Sequence, residues 1–320
     1  MRALGLPLLP FFVLVSACGG GSSTEQAQVN EPVVEVASGP EAPPLPAQGP
    51  EDGAFEVQQA KSPSESIETC FERVREGRGL PGRAAASPEA QDYAQALAHE
   101  RAGNMNEARK GYLRFIQTFP QSPHVPLVYF AFGELFYREA DVDPMKLDLA
   151  LQSYREVTKF PPPANTAYIA AHLRLADVYM YKGNHVEALA TLKKMVEAST
   201  KEPTAECAAV LAAPARNRMV TVYSHIGRPD VAFEFFRRSS GDRGDDRTNA
   251  LAMVASLAEI YLGQQKHGEV ATALLSANAN SYDVAFCRRE EDLLAKSGAS
   301  LAPTRRQELS QAHAQRCVAR

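Results

Sequence analysis

The sequence predicts an all-α solenoid of about five helical hairpins in series, closed by a C-terminal pair of capping helices. Three observations predict it. Alanine is abundant, and β-branched residues do not cluster in alternating runs, which favours helix over strand. An order of small residue, aromatic, turn, small residue and large residue recurs through residues 87–281. Breakers rich in Gly, Asn and Pro separate these signals into pairs of short helices.

The chain has 320 residues, 45% hydrophobic and 22% charged, enough for one large or two small packed units. A net charge of −4 supplies no bulk basicity for nucleic acid. Residues 1–17 place one cation, Arg2, before an apolar run from Ala3 to Val15 and then small residues, the layout of a secretory signal. Beyond residue 17 no apolar stretch approaches the roughly 18 residues a spanning helix needs. Val15-Ser16-Ala17-Cys18 resembles the lipobox of bacterial lipoproteins. The resemblance implies that Cys18 takes a thioether-linked diacylglycerol, becomes the N-terminus and is acylated again. Several acyl chains, at about 0.8 kcal/mol per buried CH₂, would anchor it firmly. Gly19 follows, not the Asp that tends to retain lipoproteins at the inner membrane in enteric bacteria, so the resemblance implies the outer membrane and a periplasm-facing chain.

Residues 18–64 are rich in Gly, Pro, Ser, Ala and Glu, with Phe55 as the only aromatic. Such a segment buries too little apolar surface to order itself and reads as a linker spanning about 40 Å as a flexible coil. Residues 65–86 follow as an isolated helix and loop. Ile67, Phe71 and Val74 recur at helical spacing, with Ser64 or Ser66 available as a cap. The loop Gly77-Arg78-Gly79-Leu80-Pro81-Gly82 matches GxGxxG, but a helix precedes it instead of a strand and Pro81 removes a backbone donor, so it reads as a turn.

The first hairpin opens at Ser87-Pro88-Glu89, a cap, a first-turn proline and an acid at the positive helix end. It turns at Gly103-Asn104 and carries Ala108, Tyr112, Phe115 and Ile116 before Pro120. The second starts near Val125 and turns through Asp141-Val142-Asp143-Pro144. The third runs from Tyr168 to Thr200 around Gly183-Asn184. The fourth breaks at Gly227-Arg228-Pro229 and the fifth at Gly263. The equivalent positions His99, Phe136, Tyr179, Tyr223 and Tyr261 lie 37, 43, 44 and 38 residues apart. A small residue at Ala96, Gly133, Ala176 or Ala258 lets the second helix approach, and the larger side chain three residues on fills the space between units.

These features resemble the tetratricopeptide repeat, although closing prolines survive only at Pro120 and Pro162, Val220 is bulky and the spacing exceeds the family's usual 34. Residues 93–200 look most like the tetratricopeptide domains of envelope proteins, including those of outer-membrane β-barrel assembly and of the Tol-Pal system. The resemblance implies a partner-binding groove on the concave side, lined by Tyr93, Leu97, Glu100, Phe130, Glu134, Tyr137, Leu173, Asp177, Met180, Asn217, Thr221 and Glu259. An aromatic groove dotted with carboxylates suits an extended peptide or a helix with basic and apolar residues.

Residues 282–320 supply the cap that a terminal repeat needs: one helix through Val284, Cys287, Leu293 and Leu294, a turn at Gly298 to Pro303, and a polar last helix. The pairs Arg288-Arg289 and Arg305-Arg306 read as solvated faces. Besides Cys18, the cysteines are Cys70, Cys207, Cys287 and Cys317, which allow three disulfide connectivities. If the last two helices fold back at Gly298, Cys287 and Cys317 come level and can pair; buried free thiols are the alternative.

No HExxH, GxSxG or CxxC occurs, and the seven histidines form no metal pair at helical spacing. No cofactor, metal or catalytic residue is expected. The expectation is a non-enzymatic, lipid-anchored scaffold for a protein partner in the cell envelope. A module binding peptidoglycan or another non-protein envelope ligand is the alternative.

Overall fold

The computed structural model describes residues 66–77, 87–244, 246–277 and 282–318. The signal segment, Cys18, the linker, the rest of the GxGxxG loop and Asp245 lie outside the described residues. Thirteen α-helices and no strand occur among the described residues. They are α1 (Ile67–Arg75), α2 (Pro88–Arg101), α3 (Met105–Thr118), α4 (Val125–Glu139), α5 (Lys146–Thr158), α6 (Tyr168–Tyr181) and α7 (His185–Lys201). The remainder are α8 (Ala208–Ile226), α9 (Ala232–Ser239), α10 (Thr248–Gly263), α11 (His267–Ser276), α12 (Val284–Ser297) and α13 (Pro303–His313).

Helices α2/α3, α4/α5, α6/α7 and α10/α11 pack as hairpins, and α12/α13 close the array. The fourth expected pair departs from this, since α8 and α9 meet through little more than Tyr223 against Phe235 and Phe236, and each packs on α10 instead. The second helix of each of the first three hairpins also packs on the first helix of the next, which makes the stack continuous. No helix among the described residues is long and apolar enough to cross a membrane.

Local chemistry places the ends. The Ser87 hydroxyl accepts from the Ala90 amide at 3.1 Å, with Pro88 in the first turn of α2. Ser66 caps α1 through the Thr69 amide at 3.0 Å, and Asp283 caps α12 through the Phe286 amide at 2.7 Å. Gly103 and Gly183 adopt φ of 79° and 71°. There the Asn104 and Asn184 amides reach back to the carbonyls of His99 and Tyr179, while the glycine amides bond Glu100 and Met180, so both turns are Schellman closures. The fifth hairpin departs from expectation. Gly263 stays inside α10, and the left-handed residue is Gln265, φ 59°, whose neighbour Lys266 makes the equivalent bond to Tyr261.

Close approach is needed where the small residues stand. A Cβ at Gly111 would lie 2.8 Å from the Ala96 Cβ, and one at Gly133 would run into the Tyr154 ring. Gly133→Ala is therefore expected to cost about 1–3 kcal/mol in urea denaturation, because Tyr154 is fully buried and bonded and cannot swing aside. Gly268→Ala, with open space around its position, is expected to gain up to about 1 kcal/mol from helix propensity. Equal effects at the two sites would contradict the packing argument.

His172 sits on the buried side of α6, its Nδ1–H donating to the Tyr168 carbonyl at 2.9 Å. Burial pushes its pKa down to about 4. The unfolded chain, with an ordinary histidine pKa near 6.5, binds the proton more readily, so this contribution to stability is complete above about 6.5 and is lost as pH falls towards 4. The full loss is about 3 kcal/mol. Denaturation midpoints of the wild type and His172→Leu should converge as pH falls through that window; parallel curves would overturn the assignment.

Candidate partner-binding face

The first helices α2, α4, α6, α8, α10 and α12 succeed one another along one face, and their acids and arginines pair from helix to helix. Glu134 of α4 accepts from Arg174 of α6 through both oxygens, at 2.9 and 3.1 Å. Asp177 of α6 pairs with Arg218 of α8, and Glu259 of α10 with Arg289 of α12 at 2.9 and 2.7 Å. In each of the first two pairs the acid stands two residues before the repeated aromatic, and the arginine five before the next one. At the α8–α10 step those two positions hold Thr221 and Ser256. Glu100 of α2 makes a further such pair with Arg138 of α4 in a different register.

The buried carboxylates are also held within their own hairpins. Tyr112 donates to Glu100 at 2.7 Å and Tyr154 to Glu134 at 2.6 Å, a tyrosine of the second helix bonding an acid of the first each time. Burial pulls the Glu134 carboxyl up, but Arg174 and the Tyr154 hydroxyl outweigh it and hold the group below its usual range. Burial pushes both tyrosine hydroxyls far above theirs.

Helix α1 is not isolated. It lies against the first helices α2, α4, α6 and α8, and the Cys70–Cys207 disulfide ties it to the start of α8. Phe71 meets Phe130 of α4 edge-on at 5.9 Å, and the Arg174 guanidinium stands 4.4 Å over the Phe71 ring and 4.8 Å from that of Tyr137. Arg75 pairs with Glu100 at 2.5 Å and its carbonyl accepts from the Tyr93 hydroxyl; Arg73 pairs with Glu206 at 2.8 Å. The apolar periodicity of Ile67, Phe71 and Val74 needed an apolar surface, and the first-helix face provides it.

The groove positions expected from the sequence therefore divide. Tyr93, Leu97, Glu100, Phe130, Glu134 and Leu173 are buried, the first, third and fourth in direct contact with α1. Tyr137, Asp177, Met180 and Thr221 are half-buried, while Asn217 and Glu259 are exposed. The acids expected to meet a basic partner are neutralised by arginines of this chain. Sequence reasoning passed over Arg75, Arg138, Arg174, Arg218 and Glu206; the recurrence of an arginine five residues before the aromatic was the available signal.

At the far end Cys287 and Cys317 form a disulfide, joining α12 to the turn after α13. Arg289 is not a solvated cation, since it ties α12 to Glu259 and Ser256 of α10, and Arg305 donates to Thr272 of α11. Glu290, His313 and Cys317 bring potential metal-ligand atoms within 4.8 Å of one another. Arg316 already pairs with that carboxylate and the cysteine is bonded to Cys287, so the group locks the cap.

A tetratricopeptide-repeat family model matches residues 89–122, the first hairpin and the turn after it. With the helical hairpins that follow, this makes the chain a tetratricopeptide-repeat-containing protein. Tetratricopeptide repeats are a protein-interaction fold. A search of curated proteins finds no match to the chain.

Proposed function

We propose that the protein is a lipid-anchored, periplasm-facing scaffold that binds a protein partner in an envelope complex, within outer-membrane protein assembly or envelope coordination. The observation that carries the binding reading is the part of the first-helix face that α1 leaves uncovered. There Met180, Asn217 and Thr221 remain accessible on successive helices held in register by arginine–carboxylate pairs. The lipid anchor and the membrane rest on the sequence alone, on the apolar leader and Val15-Ser16-Ala17-Cys18.

Affinity capture of the full-length protein from crosslinked envelopes, beside a Met180→Ala/Asn217→Ala variant, tests the scaffold. A stoichiometric protein present with the wild type and lost with the variant is the expected result. Capture of no protein, with binding of purified peptidoglycan instead, would replace it with the non-protein ligand. Cys18→Ala should move the protein out of the membrane fraction and remove the acyl mass from its N-terminus. An unchanged distribution would sink the anchor.

A further inference from the structure

Helix α1 makes the contacts of a bound peptide more than those of a repeat. It spans only nine residues, lies outside the hairpin series and rests on first helices and the loop that leads into α8. Among its contacts, one aromatic anchor and two cations carry the recognition, beside the Cys70–Cys207 bond and the Arg101 pairs with Glu72 and Glu76. Phe71 fits between the Phe130 ring and the Arg174 guanidinium, while Arg73 and Arg75 meet Glu206 and Glu100. Glu206 belongs to the loop before α8 and Glu100 to α2, so the two acids stand at different places along the face and fix the direction of a helix laid between them. This is helix-in-groove recognition made within one chain.

We propose that the seat of α1 is a binding site for a partner helix that carries an aromatic anchor with arginines two and four residues further on. The Cys70–Cys207 disulfide keeps that seat filled by the chain's own copy. The charge supports this occupant, since α1 supplies the cation for Glu206 and one of the two for Glu100, the other being Arg138, whereas Glu134 and Asp177 are held by Arg174 and Arg218. The disulfide closes a separation of 137 residues, and its sulfurs lie in side chains 0% and 4% exposed, so α1 stays seated while the bond is intact. When a dithiol reduces the bond to two thiols and is itself oxidised to a disulfide, α1 is freed to compete as a tethered ligand at an effective concentration on the order of millimolar. An intrinsically micromolar partner would then bind more weakly than its intrinsic affinity until α1 itself is weakened.

The test uses the full-length chain and a fluorescent peptide of residues 66–77 with Ser in place of Cys70. The protein variant is Cys70→Ser/Cys207→Ser with Arg73→Glu, which loosens the resident helix at its half-exposed edge and leaves the core alone. A second variant carries Phe71→Ala instead of Arg73→Glu, and far-UV circular dichroism checks that each remains folded. Saturable binding at least tenfold tighter than to the oxidised wild type is expected. Adding Glu206→Arg should weaken it about tenfold, and a peptide with Arg73→Glu should restore it, which locates the seat. Equal binding to wild type and variants, no binding to either folded variant, or a variant that dimerises and takes up no peptide would each overturn the proposal. Capture through Met180 and Asn217 is measured with α1 locked, so failure here leaves the scaffold reading to its own test.

Discussion

Arg174→Ala is expected to lower the stability of the folded chain by about 3–5 kcal/mol, because it strands the Glu134 carboxylate in the interior. Glu134 is 7% exposed and takes both guanidinium bonds on its two oxygens, with Tyr154 on one of them. Alanine also removes the cation over Phe71 and Tyr137, so α1 should loosen together with the α4–α6 step. Urea denaturation gives the magnitude, and amide exchange across residues 67–75 shows whether α1 responds. The double change Arg174→Leu/Glu134→Gln should recover much of the loss, since the penalty comes mainly from the unpaired charge. A single variant within about 1 kcal/mol of wild type would mean that water or another cation reaches Glu134.

Arg316→Ala carries a comparable expectation of about 3–5 kcal/mol at the other end. Arg316 is 2% exposed and pairs with Glu290, which is fully buried. It also donates to the Ala277 carbonyl at 2.6 Å and towards that of Leu274 at 3.4 Å, at the end of α11 where the Leu274 carbonyl also takes the Ala277 amide at 3.3 Å. The variant should lose protection in α11 and α12 first and be cleaved by protease near the C-terminus at lower denaturant than wild type. The Cys287–Cys317 bond holds the chain nearby but supplies no charge to Glu290. Replacing Glu290 as well, by Gln with Arg316→Leu, should return part of the stability. Loss spread evenly over all hairpins would contradict a local lock.

The legible features were those set within a few residues. Ser87-Pro88 opens α2, and Gly103-Asn104 and Gly183-Asn184 close their helices because a glycine can take positive φ and the next amide can reach back. Gly263 misled for the same reason: a glycine permits a turn without requiring one, and α10 runs through it to Gln265. For the candidate site, the helices and the residues on their shared face could be read, but not what covers them. Tyr93, Glu100 and Phe130 have the composition of an open groove, and only packing shows them beneath α1.

The sequence by itself determined the helices, the pairing of most of them into hairpins and the need for a terminal cap, since helical periodicity, breakers and capping residues act over one or two turns. Only the tertiary structure decided that the acids of one first helix are neutralised by arginines about 40 residues on, as in Glu134 with Arg174. It also decided that Cys70 meets Cys207 across 137 residues, placing α1 on the face the repeats present. Charge pairing and disulfide bonding depend on distances of a few ångströms between remote parts of the chain. Those distances exist only once the hairpins have stacked.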